Sequence, residues 1–471
     1  MDSVIRYEER DPELHKSIRV AYPRFVSHHR IVEWEAYLQK KYELSDYVTY
    51  CVCSTQAAKD LQRYVGFSQV KVIADEAYAI VAVSREEEAE LTARKFLQHT
   101  GYRISSREAE DLLRQEGLID GDGNTQPDPD AYERLQDTLT EKIGARTNDD
   151  VFLANSGMSA IYAAFRAVQD VQAKQGRTLW IQLGWIYVDT YEILNKFAGD
   201  DEEKIFVPDP TDLDQVEAIL KDRGDQVAGI IAEVPTNPLV QTPDVERLQR
   251  LSREHEVALI LDPTVSSMVN VDALPFADIL VTSLTKYISH EGDVMMGAIA
   301  LQPESPFYES VKSLISSHVE PPYHRDVARV AEQLDRVEAV AEAVNANTLK
   351  LARFFENDPR VSKVFWAYSG DNTECYKKIE KEPDSPGSMI TIEVKKPVAD
   401  FYDACRIPKG PSFGMDLTLM SPFMYMAHYD IISSDTGRDE LLAYGINPDL
   451  IRISVGTEPI EEIIAAFDEA L

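Results

Sequence analysis

A single lysine follows a buried-looking strand in residues 279–286, "ILVTSLTK", with Ser283 and Thr285 beside Lys286. An amine taken out of water favours its neutral form. A neutral amine can form an imine with an aldehyde, and two hydroxyls one residue apart can face one phosphate. Comparable features stand elsewhere. "NSGMSAIYAAF" sets Gly157 and Met158 where a helix begins, and free N–H groups with the helix dipole suit an anion there. Asp262 ends the strand "VALILD", and a buried carboxylate must find a partner, one choice being a protonated heterocyclic nitrogen. Tyr187 follows the strand "TLWIQL", where a flat ring can stack on a flat cofactor. Singly, each has an ordinary reading: a solvated lysine, an N-cap, a turn carboxylate, a core tyrosine. Jointly they supply an imine lysine, a phosphate cradle, an acid for a ring nitrogen and a stacking ring. That set fits pyridoxal 5′-phosphate.

Elements must carry these residues to one place. From Val151, short apolar runs ("VFLANSG", "TLWIQL", "EKIFVP", "VAGIIAEVP", "VALILDP", "ADILVTS") alternate with helix-like polar stretches. This texture predicts an α/β domain with a mainly parallel sheet, over residues 151–305. Ligands of such sheets sit beyond the C-terminal strand ends, where the polar punctuation falls. Residues 306–471 open with one long helical pattern, then "VSKVFWAY", "SMITIEV", "LIRISVG" and a closing helix. They read as a smaller α+β domain. Residues 1–150 are mixed and charged, an N-terminal extension. They hold an apparent strand "YVTYCVCS", a strand candidate at 77–83, helical patterns near 86–96 and 106–115, a turn-rich break at 120–130, and a helix to about 142.

Composition bounds the function. The 471 residues carry a net charge of −33. That argues against a nucleic-acid binder, which needs a basic face, and against docking on anionic membranes. The four cysteines have no zinc spacing, so no metal is expected. No apolar run is long enough to span a bilayer, and the first residues hold no apolar signal core; a cytoplasmic enzyme is expected.

Several motifs agree in order and spacing with a known family. "EVPTNPLVQTPDVERLQRLSREHEVALILDPT", "FADILVTSLTKYISHEGDVMMGAIAL" and "IRISVGTEPIEEIIAAFDEAL" resemble the Cys/Met-metabolism family of pyridoxal-phosphate enzymes. "AYPRFVSHHRI", "KFLQHTGYRISSREAE" and "GPSFGMDLTLMSPFMYMAHYD" are similar to its longer, fungal-type cystathionine γ-synthase branch. The resemblance implies the fold-type-I transferase fold. It implies that Lys286 is the imine lysine, that Asp262 faces the pyridinium, that Tyr187 stacks on the ring and that Asn237 lies near the ring hydroxyl. Gly157, Met158, Ser283 and Thr285 would hold the phosphate. Tyr22 and Arg24 match a Tyr-x-Arg pair that reaches the phosphate of a neighbouring subunit, so a homodimer or homotetramer with shared sites is implied. Arg452 matches the arginine that pairs with the substrate α-carboxylate, and Ser412 a serine that orients the lysine. The implied activity is γ-replacement on an O-acyl-homoserine by cysteine or another thiol, giving cystathionine. The alternatives are a cystathionine or methionine lyase, then an aminotransferase or a non-catalytic relative. The sequence departs from the family pattern at Pro263, after Tyr-x-Arg and at "SFGMDL", which leaves substrate choice open. His99 and His428 read as satisfied core or loop histidines.

Overall fold

A computed structural model describes residues 1–18, 22, 24–74, 78–121, 123, 125–199 and 204–471. Of the segments singled out above, Ala21, Pro23, Ala77, Asp122, Asn124 and Glu203 lie outside the described residues. The N-terminal sheet is antiparallel, ordered β1-β3-β2: β1 (Tyr47–Val52), β2 (Val70–Ala74) and β3 (Ala79–Ser84). Helices Thr55–Val65 and Glu87–Thr100 cover one face of it and helix His29–Lys41 covers the other.

The large sheet holds β4 (Val151–Ala154), β5 (Leu179–Leu183), β6 (Lys204–Val207), β7 (Val227–Glu233), β8 (Ala258–Asp262), β9 (Ile279–Ser283) and β10 (Gly297–Leu301). Their order is β4-β10-β9-β8-β7-β5-β6, and β5 to β9 run parallel while β10 pairs antiparallel with β4 and β9. The strands are apolar throughout because both faces are covered. On β8, Leu259 and Leu261 enter one core and Ala258 and Ile260 the other. Helix Gly157–Gln172 lies between the large sheet and the N-terminal sheet, which explains why it is apolar on nearly every side. The third sheet is antiparallel, β11-β12-β14-β13: β11 (Val361–Phe365), β12 (Met389–Val394), β13 (Leu419–Ser421) and β14 (Ile451–Ser454).

The expected division at residues 150 and 305 follows composition more than packing. Met1 joins the core of the C-terminal unit, and Ala131, Leu135, Leu139 and Ile143 join the large-sheet core. Val327, Ala328, Val330 and Ala331 pack into that same core, and the C-terminal core begins within helix Val337–Asn357. No helix of the described residues is long and apolar enough to cross a membrane.

Candidate active site

The C-terminal ends of β5, β7, β8 and β9 converge with the C-terminal unit. Lys286 leaves β9 and its Nζ lies 3.3 Å from Ser412 Oγ, 4.8 Å from the Phe413 ring centre and 4.9 Å from that of Tyr22. Burial pulls its pKa below that of ordinary lysine; Tyr22 opposes the shift and Arg452 and Arg24 add to it. Arg452 rises from β14, is 4% exposed, and donates to Asn237 Oδ1 at 3.2 Å and to the Pro411 carbonyl. Burial lowers its guanidinium to about 10. Among the described residues no carboxylate pairs with it, and its Phe413 and Phe423 walls are apolar.

Asp262 is 8% exposed and stands in register with Glu233 of β7. One of its oxygens accepts from Thr264 N at 2.9 Å and from the Thr264 hydroxyl. Burial pushes its carboxyl up to about 6. Thr264 also accepts from Ser283 N at 2.9 Å, so one hydroxyl ties the acid of β8 to the end of β9. Glu233 accepts Tyr187 N–H at 2.6 Å on one oxygen and Asn237 N–H at 3.1 Å on the other. Burial, then the neighbouring Asp262, raises its carboxyl well above the usual range.

The anion cradle is built from β4 and β9. Ser156 caps helix Gly157–Gln172, accepting from Ser159 N at 3.1 Å, which leaves Gly157 and Met158 N–H in the open first turn. A Cβ at Gly157 would lie 2.8 Å from Ser283 Cβ and 3.0 Å from its Oγ. A Cβ at Gly297 of β10 would lie 2.4 Å from the Ser156 carbonyl. Glycine at both places is what lets the helix start reach Ser283. The Thr285 hydroxyl lies 3.3 Å from Met296 O and accepts from Met296 N at 3.1 Å, pinning the turn to β10. It also bonds the Tyr22 phenol.

Tyr22 and Arg24 stand beside Lys286 and Tyr187. Arg24 donates through Nη1 to Asp189 and to the Gln98 carbonyl at 2.8 Å, and through Nη2 to Tyr187 OH at 2.6 Å. The cause is electrostatic: a buried guanidinium needs an anion, and Asp189, fully buried, supplies it. Burial raises the Tyr22 phenol, but Lys286 and Arg24 outweigh it and pull the phenol below its usual value. His99 Nδ1 bonds Asp189 at 2.9 Å while its Nε2 is buried without a hydrogen-bond partner among the described residues, and His428 accepts from Trp185 Nε1 at 3.1 Å.

The structure thus brings Lys286, Ser412, Asn237, Arg452, Tyr187, Tyr22 and Arg24 into one network, and joins Asp262 to Ser283 through Thr264. Glu233, Thr264 and Asp189 were not singled out from the sequence. Glu233 opens the quoted "EVPTNP" and was read as strand; a charged residue inside an apolar run was the available signal. The side chains fit pyridoxal phosphate: donors without a carboxylate surround the glycine cradle, a carboxylate is available to a ring nitrogen, and a desolvated amine faces the cleft. No group of three or more His, Cys, Asp or Glu among the described residues could hold a metal ion.

Comparisons with known proteins agree. The model of the Cys/Met metabolism PLP-dependent enzymes matches residues 98–471. The L-2-amino-4-chloropent-4-enoate dechlorinase/desaturase of Streptantibioticus cattleyicolor is 36% identical over 470 residues, 99% of this chain and 94% of that protein. The cystathionine γ-synthase of Neurospora crassa is 33% identical over 348 residues, 73% of this chain and 55% of its own length. The chain thus spans about half of that relative. A solved cystathionine γ-synthase from Xanthomonas oryzae pv. oryzae superposes with a TM-score of 0.62 at 19% identity, over 75% of this chain and 89% of that one. The fold is that of fold-type-I pyridoxal-phosphate enzymes. The chain belongs to the Cys/Met metabolism family of pyridoxal-phosphate-dependent enzymes.

Proposed function

We propose that this enzyme removes a leaving group from the γ-carbon of an L-α-amino acid, ending in elimination. The observation that carries this reading is the 36% identity to the dechlorinase/desaturase over 99% of the chain. That likeness includes residues 1–97, which the family model leaves out. The name of that relative describes an amino acid with chlorine on C4, the γ-carbon, so a halide is the leaving group we favour.

Bound pyridoxal phosphate supplies a carbonyl for the substrate amine and an electron sink for charge developing at Cα. The residues of this chain then divide the work. Gly157 and Met158 N–H, Ser283 and Arg24 would hold the phosphate. Tyr187 would cover the ring and Asn237 would lie near its hydroxyl. Asp262 would keep the ring nitrogen protonated. Arg452 would take the α-carboxylate on its unpaired fork. Lys286, its basicity lowered by burial, would move protons at Cα and Cβ, with Ser412 orienting its amine.

γ-Replacement by cysteine, giving cystathionine, is the second reading, favoured by the Neurospora relative. A thiol amino acid brings a second carboxylate. Of the cations acting on Lys286, Arg24 is paired with Asp189, which leaves Arg452 alone among the described residues. This favours one amino acid in the site over two. The test is a panel of 2-amino-4-chloropent-4-enoate and O-acetyl- and O-succinyl-homoserine, each with and without cysteine, read by mass spectrometry. Turnover without thiol supports elimination. Product formed only with cysteine, at the mass of cystathionine, establishes replacement instead. No turnover of any γ-substituted amino acid overturns both.

A further inference from the structure

Residues 411–416 lie between the turn that carries Lys286 and the strand end that carries Arg452. On one side, Ser412 Oγ accepts from Lys286 Nζ at 3.3 Å, and Asp416 N donates to the His290 carbonyl at 3.1 Å. On the other, the Pro411 carbonyl accepts from Arg452, Gly414 N donates to Ser454 Oγ at 3.0 Å, and Thr457 N donates to the Asp416 carbonyl at 2.9 Å. Gly414 has φ +69°, and a Cβ there would stand 2.6 Å from the Tyr287 ring, so glycine lets the segment close onto the residue after Lys286.

Phe413 meets both cations. Its ring centre lies 4.8 Å from Lys286 Nζ and 5.5 Å from Arg452 Cζ, both within reach of a cation–π contact. The ring is held in place: it is 6% exposed and packs with Val240, Val265, Tyr287 and Met389. Arg452 needs such a wall. Among the described residues it has no carboxylate partner, so the Asn237 and Pro411 oxygens and the faces of Phe413 and Phe423 are what hold its fork. Phe413 lies in "SFGMDL", where the sequence departs from the family pattern.

We propose that Phe413 is a positioning residue that joins the imine lysine to the carboxylate-binding arginine, holding the Arg452 fork at the depth where the substrate Cα comes under Lys286. The proposal rests on the α-carboxylate role given to Arg452 above and not on which leaving group is lost. A ring shared by the two cations fixes their separation, and that separation decides which carbon of a carboxylate-anchored amino acid the amine reaches.

The test uses two probes without a leaving group. L-Norvaline and butylamine share one carbon chain and differ by the α-carboxylate. Each is titrated into the holoenzyme and read by the change in visible absorbance. Wild type should prefer L-norvaline strongly. Phe413→Leu should narrow that preference roughly tenfold or more, the scale of a cation–π contact out of water, while cofactor affinity stays near wild type. A merely structural lesion would weaken cofactor, L-norvaline and butylamine together and leave the preference unmoved, which overturns the proposal. In a double-mutant cycle with Arg452→Lys, the effect of Phe413→Leu on the preference should shrink; full additivity overturns the positioning role. At saturating L-norvaline, exchange of Cα–H into deuterium oxide should slow as well, because amine and Cα are no longer held in line. Unchanged exchange would confine Phe413 to Arg452 and overturn the joint role. If Phe413→Leu does not fold, Phe413→Met is read by the same rules, since it keeps most of the volume and removes the ring face. Equal binding of the two probes by wild type refutes the role of Arg452 and this proposal with it. A preference lost in Arg452→Lys but kept in Phe413→Leu refutes this proposal alone.

Discussion

Asp262→Asn should stabilise the protein without its cofactor and weaken its hold on the cofactor. Burial holds the Asp262 carboxyl at about 6, against about 4 for an aspartate in an unfolded chain. A group raised on folding contributes stability below its unfolded pKa and loses it as pH rises through the folded one. Above about pH 6 the cofactor-free protein therefore contains an ionised carboxylate with little water around it. The gap of about two pKa units corresponds to about 3 kcal/mol. Asparagine does not titrate, and its amide oxygen can still accept from the two donors of Thr264. Thermal melts of cofactor-free wild type and variant from pH 4 to pH 8 are the assay. The curves should meet near pH 4 and separate through pH 6, the variant melting a few degrees higher at pH 8. With cofactor the order reverses, because a protonated ring nitrogen favours a carboxylate over an amide. Equal melting at pH 8 together with unchanged cofactor affinity would refute the reasoning.

Borohydride reduction followed by peptide mapping should label Lys286, and Lys286→Ala should bind cofactor without the label; a label on another lysine removes the assignment. Gly157→Ala should push the helix start away from Ser283, since its Cβ would sit 2.8 Å from Ser283 Cβ. Overpacking of this kind costs about 1–3 kcal/mol, so cofactor affinity should fall roughly tenfold or more by fluorescence titration. Wild-type affinity would show that the cradle does not depend on this contact. Arg452→Lys should raise KM for the amino acid while leaving cofactor affinity near wild type, because a point charge replaces a fork. A variant with altered cofactor affinity and unchanged KM would place Arg452 on the wrong ligand.

The strand-end residues were legible in the sequence because a parallel sheet buried on both faces leaves polar residues only where strands stop. Ser283, Asp262 and Lys286 stand out for that reason. β2, β10 and β13 were not among the strands read from the sequence: "GAIAL" and "LMS" are too short to show a period, and β2 pairs only with β3. The seat of Arg24 was not legible at all. It depends on Asp189, Gln98 and Tyr187, separated from it by 165, 74 and 163 positions, and no local pattern reports such distant meetings. The resemblance supplied the pairing of Tyr22 with Arg24, and with it the expectation of a site shared between chains.

Glu233 links parts of the site that the sequence presented as separate. Its two oxygens hold the backbone N–H of Tyr187 and of Asn237, and Asn237 in turn accepts from Arg452. Tyr187, Asn237 and, through Asn237, Arg452 are therefore positioned by one carboxyl group. That group lies in register with Asp262, and two buried carboxyls side by side resist ionising together. Without a nearby cation, one of them tends to keep its proton. When Glu233 is the one protonated, it becomes a poorer acceptor for the two N–H groups, and Tyr187 and Asn237 are held less firmly. A positive charge placed against Asp262 relieves the part of the Glu233 shift that Asp262 causes and leaves the larger part that burial causes. In the proposed arrangement, with the ring nitrogen at Asp262 and the α-carboxylate at Arg452, Glu233 is the group through which the two ends of the site affect each other.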